Sequence, residues 1–454
     1  MRQFQRVNNG MFEKYNDNKD ISKRKAIESV PSFVSNFPPT VNEQGIIFEN
    51  QFSENLVITF NDLSRKVLLL GDSGEGKTNA LYQLVDKVIN VPNSSNINII
   101  FDSKGDFKKR FADSSEKTII IESFRSQYSN SSVWNLFEEL EAEKNNIKQA
   151  ARELAKMLAG TRLKDNGRQK FFVEASVEML SAAMLVLMQD YYSKGVHPTN
   201  KTLVQFLRMT PEAILKRAKE YGLDSMIDTY ITPKVNGAYN GQTLGVVAEV
   251  NNIISDLFVG QFGETGKFSI RKTIRNNEPV NIFIEYDVSY GATLSPVYTT
   301  LISLAVKEVM GRHSGSKVNL FIDEFGLLDY IPDMESAVSF GREQGLFIAA
   351  GLQHIGQLRN KYGKDCADGM LNNFRNLIAF KTTDYETREF IKNRFGVVNK
   401  HLVQYSSLSD KISTNVRETA LSDEDILSLK TGEAIISTAN GNKPFRFKFQ
   451  QVKE

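Results

Sequence analysis

Eight consecutive residues, GDSGEGKT from Gly71 to Thr78, have the types and spacing of a phosphate cradle, G-x-x-x-x-G-K-[ST]. Such a loop holds phosphates with backbone N–H groups, so glycine is needed where the chain approaches closely or takes unusual torsions. Gly71, Gly74 and Gly76 meet that need. Lys77 is placed to reach the β- and γ-phosphates and Thr78 to offer its hydroxyl to Mg2+, while Asp72, Ser73, Glu75 and Asn79 complete the expected contacts. The implied ligands are ATP and Mg2+. An apolar run, VLLL, precedes the loop and a helix-forming run, NALYQLVDKVI, follows it, which is the setting the motif requires. A glycine-rich turn is the plain alternative. Asp72 and Glu75 are unexpected beside a polyanion. Because the phosphates meet backbone N–H groups, both acids can point outward, and if the chain assembles as a ring one of them is expected to pair with a basic residue of the neighbouring subunit.

Three further residue sets extend this chemistry. VNLFIDEFGLL is an apolar run ending in Asp323 and Glu324. An acid at the end of a strand can hold the magnesium shell, and an adjacent glutamate can polarise an attacking water, so the pair points to hydrolysis. Alone, such acids are equally well explained as helix caps. Gln353 follows the apolar run LFIAAG, at the strand edge where open α/β sheets bind ligands, and could sense the γ-phosphate or simply cap the next helix. Arg342 lies between these two runs. It is either a surface arginine or a group supplied across a subunit boundary to neutralise charge on the transferred phosphoryl. The histidines, His197, His313, His354 and His401, share no metal-ligand spacing with one another or with Cys366, so zinc is not expected.

These residues need a scaffold, and the pattern of apolar runs describes one. KVLLLG, INIIFD, KTIIIES, VNIFIEY, VNLFIDE, LFIAAG, NLIAFK and EAIIST are short and β-branched, and most are separated by helix-length segments. That is the signature of an α/β fold with a mostly parallel sheet. From about 139 to 262 the period changes, with Ile147, Ala151, Leu154, Ala155 and Leu158 at helical spacing. The expected organisation is a polar arm over 1–45, an NTPase domain over 46–138, an all-helical insertion over 139–262 and the rest of the NTPase domain over 263–454.

The arm includes the charge run Lys23, Arg24 and Lys25, read as solvated. With 56 basic and 54 acidic side chains the net charge is +2, so no partner class follows from charge as a whole, and any DNA contact must be local. FKKR, near Lys108 to Arg110, is one basic segment available for it. The single cysteine fits a reducing compartment. No window is expected to span a bilayer; FFVEASVEMLSAAMLVLMQD, Phe171 to Asp190, carries Glu174 and Glu178 and reads as a buried helix.

GDSGEGKT, FDSKGDF, FIDEFG, GREQGLFIAAGLQHIGQLRNKYG and LNNFRNLIAFKTTDYETREFIKNRFG together resemble the type IV secretion coupling proteins of bacterial conjugation, the TraG/TraD kind, over residues from about 60 to 440. These are RecA-like hexameric ATPases of the FtsK/HerA class. The resemblance implies Lys77 and Thr78 as nucleotide and magnesium contacts, Asp323 and Glu324 as the second nucleotide motif, Gln353 as sensor and Arg342 as a finger acting in trans. Asp102 and Lys104 match a family motif beside the nucleotide site, although a turn explains Lys104 and Gly105 equally well. The implied protein is a DNA-stimulated ring motor, a hexamer passing single- or double-stranded DNA through its pore, with a relaxase or secretion-channel proteins as partners. Family members usually begin with transmembrane helices, and none is read here. The chain is therefore expected in the cytoplasm, with recruitment to the inner face of the membrane by partners. Two other readings stay open: an ATP-gated platform that recruits protein substrates, and a soluble DNA translocase in repair, segregation, packaging or defence.

Overall fold

The structure, a computed structural model, describes residues 23–26, 35, 38, 45–49, 55–90, 95–112, 117–124, 131–164, 168–232, 234, 236–311, 317–406, 411–441 and 443–452. Two compact units divide the chain. One comprises Met1–Leu84, Gly351–Gln357 and Phe374–Lys453; the other comprises Val85–Ala350 and Leu358–Asn373.

In the second unit residues 346–350 and the strands Val318–Ile322, Ile97–Asp102, Val280–Glu285 and Thr118–Ile121 lie side by side in that order, every neighbouring pair parallel. Every residue of Ile97–Asp102 and of Val318–Ile322 is buried, as a sheet covered on both faces requires. Register is pinned by a ladder of three asparagines. Asn98 stands opposite both Asn281 and Asn319, donating to Asn281 at 2.8 Å and accepting from Asn319 at 2.7 Å. A one-residue slip would strand these amides inside an apolar sheet, each at a cost of about 1–3 kcal/mol.

Between Thr118–Ile121 and Val280–Glu285 the described residues form helices and no strand. The centre of this region is the helix Arg168–Lys194, against which Ile147–Ala159 and Gly241–Leu257 pack. Its stretch Gln169–Lys194 is long and apolar enough, by length and composition, to cross a membrane, which corrects the expectation that no window qualifies. The physical reason for its composition is packing: 72% of its most apolar window is buried among protein neighbours. The helical region belongs to the same compact unit as the five strands, since Ile147–Ala159 also packs on Gly291–Met310.

In the first unit Val67–Leu70 runs parallel to Asn376–Phe380, followed by the antiparallel strands Glu433–Ser437 and Phe445–Lys448. A hairpin of Gly45–Glu49 and Asn55–Thr59 stands before them. Lys23–Ala26, within the expected polar arm, pairs antiparallel with Val397–Ser406, itself paired with Lys411–Thr419. The order of Lys23–Ala26 comes from a partner strand that supplies its backbone hydrogen bonds, and local composition carries no sign of it. The remainder of the expected arm, apart from Ser35, Pro38 and Gly45, lies outside the described residues.

Candidate functional site

Gly71–Thr78 joins the buried strand Val67–Leu70 to the helix Lys77–Ile89. Gly71, Gly74 and Gly76 have φ of 151°, 82° and 112°, a region that side chains with a Cβ avoid. Close approach adds a second demand: a Cβ on Gly71 would lie 2.7 Å from Phe380 Cβ, and one on Gly76 would lie 3.0 Å from Gly432 Cα. The loop is anchored by Asp72 N donating to Lys381 O at 2.9 Å and Gly432 N donating to Glu75 O at 2.9 Å. Lys77 is 7% exposed, and its Nζ donates to Gly71 O at 2.7 Å and Asp72 O at 3.0 Å. An ammonium held over the mouth of a glycine loop, with the helix N-terminus behind it, suits a polyphosphate.

The acids of the loop have defined places. Asp72 Oδ1 accepts from Thr382 Oγ1 at 3.0 Å, and its Oδ2 accepts from Thr383 N and Thr383 Oγ1, both at 2.8 Å. These partners belong to the same chain and are not basic. Glu75 Oε2 accepts from Thr431 Oγ1 at 3.5 Å. Asn79 turns to the C-terminal segment, donating to Gln450 O at 3.0 Å and accepting from Val452 N at 2.8 Å, so any contact it makes with nucleotide is through its backbone. Ser73 is exposed and Thr78 half-buried. In the same unit, Gly71 N donates to Leu352 O at 3.3 Å, which places Gln353, the next residue after the strand Leu346–Leu352, one position from the loop's first contact.

In the other unit Asp323 and Glu324 directly follow Val318–Ile322, 5% and 8% exposed. Asp323 N donates to Phe101 O at 3.2 Å, and Ser103 Oγ donates to Asp323 Oδ2. Asp102 beside it is fully buried and accepts from the backbone N–H of Lys108 at 2.8 Å, Asp106 at 3.1 Å and Lys104 at 3.3 Å. Burial pushes its carboxyl up to about 6, with the Lys108 amide opposing and the negative charge of Asp323 adding to the rise. Lys108 Nζ donates to Glu122 at 3.0 Å and also to Glu285. Of the basic segment suggested for DNA, Lys108 is thus a buried ion-pair centre, whereas Lys109 and Arg110 are exposed. Arg342 is exposed in the turn before Leu346–Leu352.

His197 lies 3.3 Å from Glu138 and 3.9 Å from Glu141, a meeting that spacing did not reveal. The same two carboxylates both hold Lys272, so an ammonium already supplies the positive charge there. A cavity of about 430 Å³, lined by Met157, Leu163, Pro296, Ser303 and Tyr330 among others, includes none of the nucleotide-loop residues. Its volume falls within the range of small-molecule pockets, about 300–1,000 Å³.

Strand, glycine loop and helix, set in a mostly parallel α/β sheet with helices, define a P-loop NTPase-like protein. More specifically, the chain belongs to the family described as the type IV secretion-system coupling protein DNA-binding domain, which it matches over residues 55–441. It is 27% identical over 176 residues to a probable conjugal transfer protein TraG of Sinorhizobium fredii (strain NBRC 101917 / NGR234) and 26% identical over 176 residues to a conjugal transfer protein TraG of Agrobacterium fabrum (strain C58 / ATCC 33970). Each match covers 37% of this chain and 27% of the relative. Among solved structures, the conjugative coupling protein TrwBdeltaN70 in its unbound monoclinic form superposes with a TM-score of 0.70 at 18% identity, covering 91% of this chain and 90% of that one. TrwB in complex with ADP and Mg2+ gives 0.66 at 19% identity, with 88% of each chain covered.

Ser103, Thr382, Thr383, Glu122 and Glu285 escaped the sequence reading. Ser103 left a signal there, its place one residue after an acid-ended apolar run, as did Glu122 and Glu285, which end the apolar runs in KTIIIES and VNIFIEY. The contacts that Ser103, the threonines and the glutamates make join separate elements, which no local pattern encodes.

Proposed function

We propose that this protein is an ATP-hydrolysing motor of conjugative transfer, assembling as a hexameric ring that moves DNA toward the transfer apparatus. The observation that carries the reading is the seating of Lys77, its Nζ fixed by Gly71 O and Asp72 O over a loop whose glycine torsions open the backbone N–H groups. ATP would bind along Gly71–Asn79. Thr78 and Asp323 offer hydroxyl and carboxylate oxygens, the hard donors that suit Mg2+, and a nearly buried Asp323 whose carboxylate already has a fixed partner fits that use. When bound, the ion neutralises charge on the phosphates. Glu324 Oε accepts a proton from the attacking water, Gln353 senses the γ-phosphate, and the exposed Arg342 reaches a neighbouring subunit's nucleotide.

Membership of a coupling-protein DNA-binding family supports DNA as cargo. A net charge of +2 supports local contacts such as those lining a pore. A cytoplasmic site of action and a relaxase or channel partner complete the reading.

The test is steady-state ATP hydrolysis by the purified chain beside Lys77→Ala and Glu324→Gln. The expected result is turnover in the wild type and loss of about a hundredfold or more in Glu324→Gln with nucleotide binding retained. Lys77→Ala should lose both. Normal turnover in Glu324→Gln would remove Glu324 from the assigned role.

A further inference from the structure

The segment Asp102–Lys108 is more rigidly built than a connection from strand to helix requires. Asp102 gathers three backbone N–H groups. Gly105 has φ 76°, and a Cβ there would lie 2.8 Å from Glu285 Oε1, so the turn closes directly against that carboxylate. Lys108 ties the following helix to Glu122 and Glu285, on the ends of two other strands. What this frame holds still is Ser103. The residue is 7% exposed, and its hydroxyl donates to Asp323 Oδ2. On the other side, Asp323 is fixed through its own N–H on Phe101 O at 3.2 Å. Both ends of the contact are therefore set by the same strand, Ile97–Asp102, and the residue after it.

We propose that Ser103 is the positioning residue for Asp323: its hydroxyl holds Oδ2 in one direction and so fixes the rotation of the carboxylate assigned above as a magnesium ligand. The inference rests on the nucleotide site proposed above and adds a partner that nothing in the P-loop pattern names. A carboxylate free to rotate offers its oxygens to a hydrated cation in many orientations. One pinned by a buried hydroxyl offers a single arrangement, which is how partners behind metal ligands raise affinity.

A merely structural Ser103 would steady the turn and leave the Mg2+ response unchanged, so the readout must be the metal dependence of binding. A fluorescent ATP analogue is titrated onto the full chain without Mg2+, and then at fixed nucleotide over a Mg2+ series, for wild type, Ser103→Ala and Ser103→Thr, with thermal melts alongside. Ser103→Ala should raise the half-saturating Mg2+ concentration about tenfold. Its Mg2+-free nucleotide affinity should stay unchanged, and Ser103→Thr, which keeps the hydroxyl, should match the wild type. If Ser103→Ala does not fold, Ser103→Cys, of similar shape with a weak donor, should shift Mg2+ dependence in the same direction.

An unchanged Mg2+ response in a folded Ser103→Ala or Ser103→Cys protein would overturn the proposal. So would an equal shift in Ser103→Thr. Absence of nucleotide binding in the wild type would instead overturn the reading of the site on which it rests.

Discussion

Asp72, inside the phosphate loop, is held by Thr383, whose backbone N–H and hydroxyl both donate to Asp72 Oδ2 at 2.8 Å. An acid that looked ill-suited to a nucleotide site is a strut. Its charge faces donors on the segment after Asn376–Phe380 and ties the loop to the strand beside it.

Asp72→Ala should therefore act within one chain. Charge-assisted bonds of this kind contribute about 1.5–3 kcal/mol each, so a stability loss of that order is expected in urea unfolding, together with weaker nucleotide binding. The oligomeric state, read by light scattering, should not change. A variant that keeps full stability and loses assembly would restore a pairing across subunits for Asp72. Glu75, with a contact of 3.5 Å to Thr431, is the acid left for that role.

Lys108 should behave as a buried charge. Removing it strands Glu122 and Glu285, and breaking one partner of a buried pair costs about 3–5 kcal/mol. Lys108→Met is expected to lower the unfolding midpoint clearly, whereas Lys109→Ala, on an exposed side chain, should leave it in place. A stable Lys108→Met protein with weakened DNA binding would show that this lysine serves DNA after all.

The helical region should carry a defined acid sensitivity at Asp190. Burial works against its charge, but hydrogen bonds from Lys194, Tyr221 and Arg217 outweigh that and bring its carboxyl down to about 2. The folded value is below the unfolded one of about 3.9, so the stabilisation is fully present above the unfolded value and is lost as pH falls through the folded one. The stability difference between wild type and Asp190→Asn, measured by denaturant unfolding, should be constant above about pH 5 and shrink as pH falls toward 2. A difference that grew on acidification would contradict this assignment.

The strands that build the site were legible because each is a short apolar run buried on both faces, and VLLL and VNLFI cannot be satisfied in many other ways. Gly71 to Thr78 was legible because its torsions and close approaches admit few residues. Lys23–Ala26 and Val397–Ser406 were not, since their pairing spans most of the chain and neither carries a continuous apolar run. Likewise the partners of Asp72, Asp323 and Lys108 lie 310, 220 and 14 or 177 residues away, beyond any periodicity. The burial of Lys108 within FKKR was not legible for a related reason: a basic cluster in sequence does not show which member turns inward. The long helix Arg168–Lys194 shows the same limit, because its apolar composition says that it is covered, and only packing says by what.

The response of hydrolysis to DNA tests a DNA-moving motor most directly. ATP turnover by the full chain should rise when single- or double-stranded DNA is added, and the rise should fade as salt is raised, because phosphate contacts release counterions. Glu324→Gln should show no such rise while still binding nucleotide. Turnover that ignores both forms of DNA and responds only to a protein substrate would contradict the account and make the chain an ATP-gated recruiter of proteins.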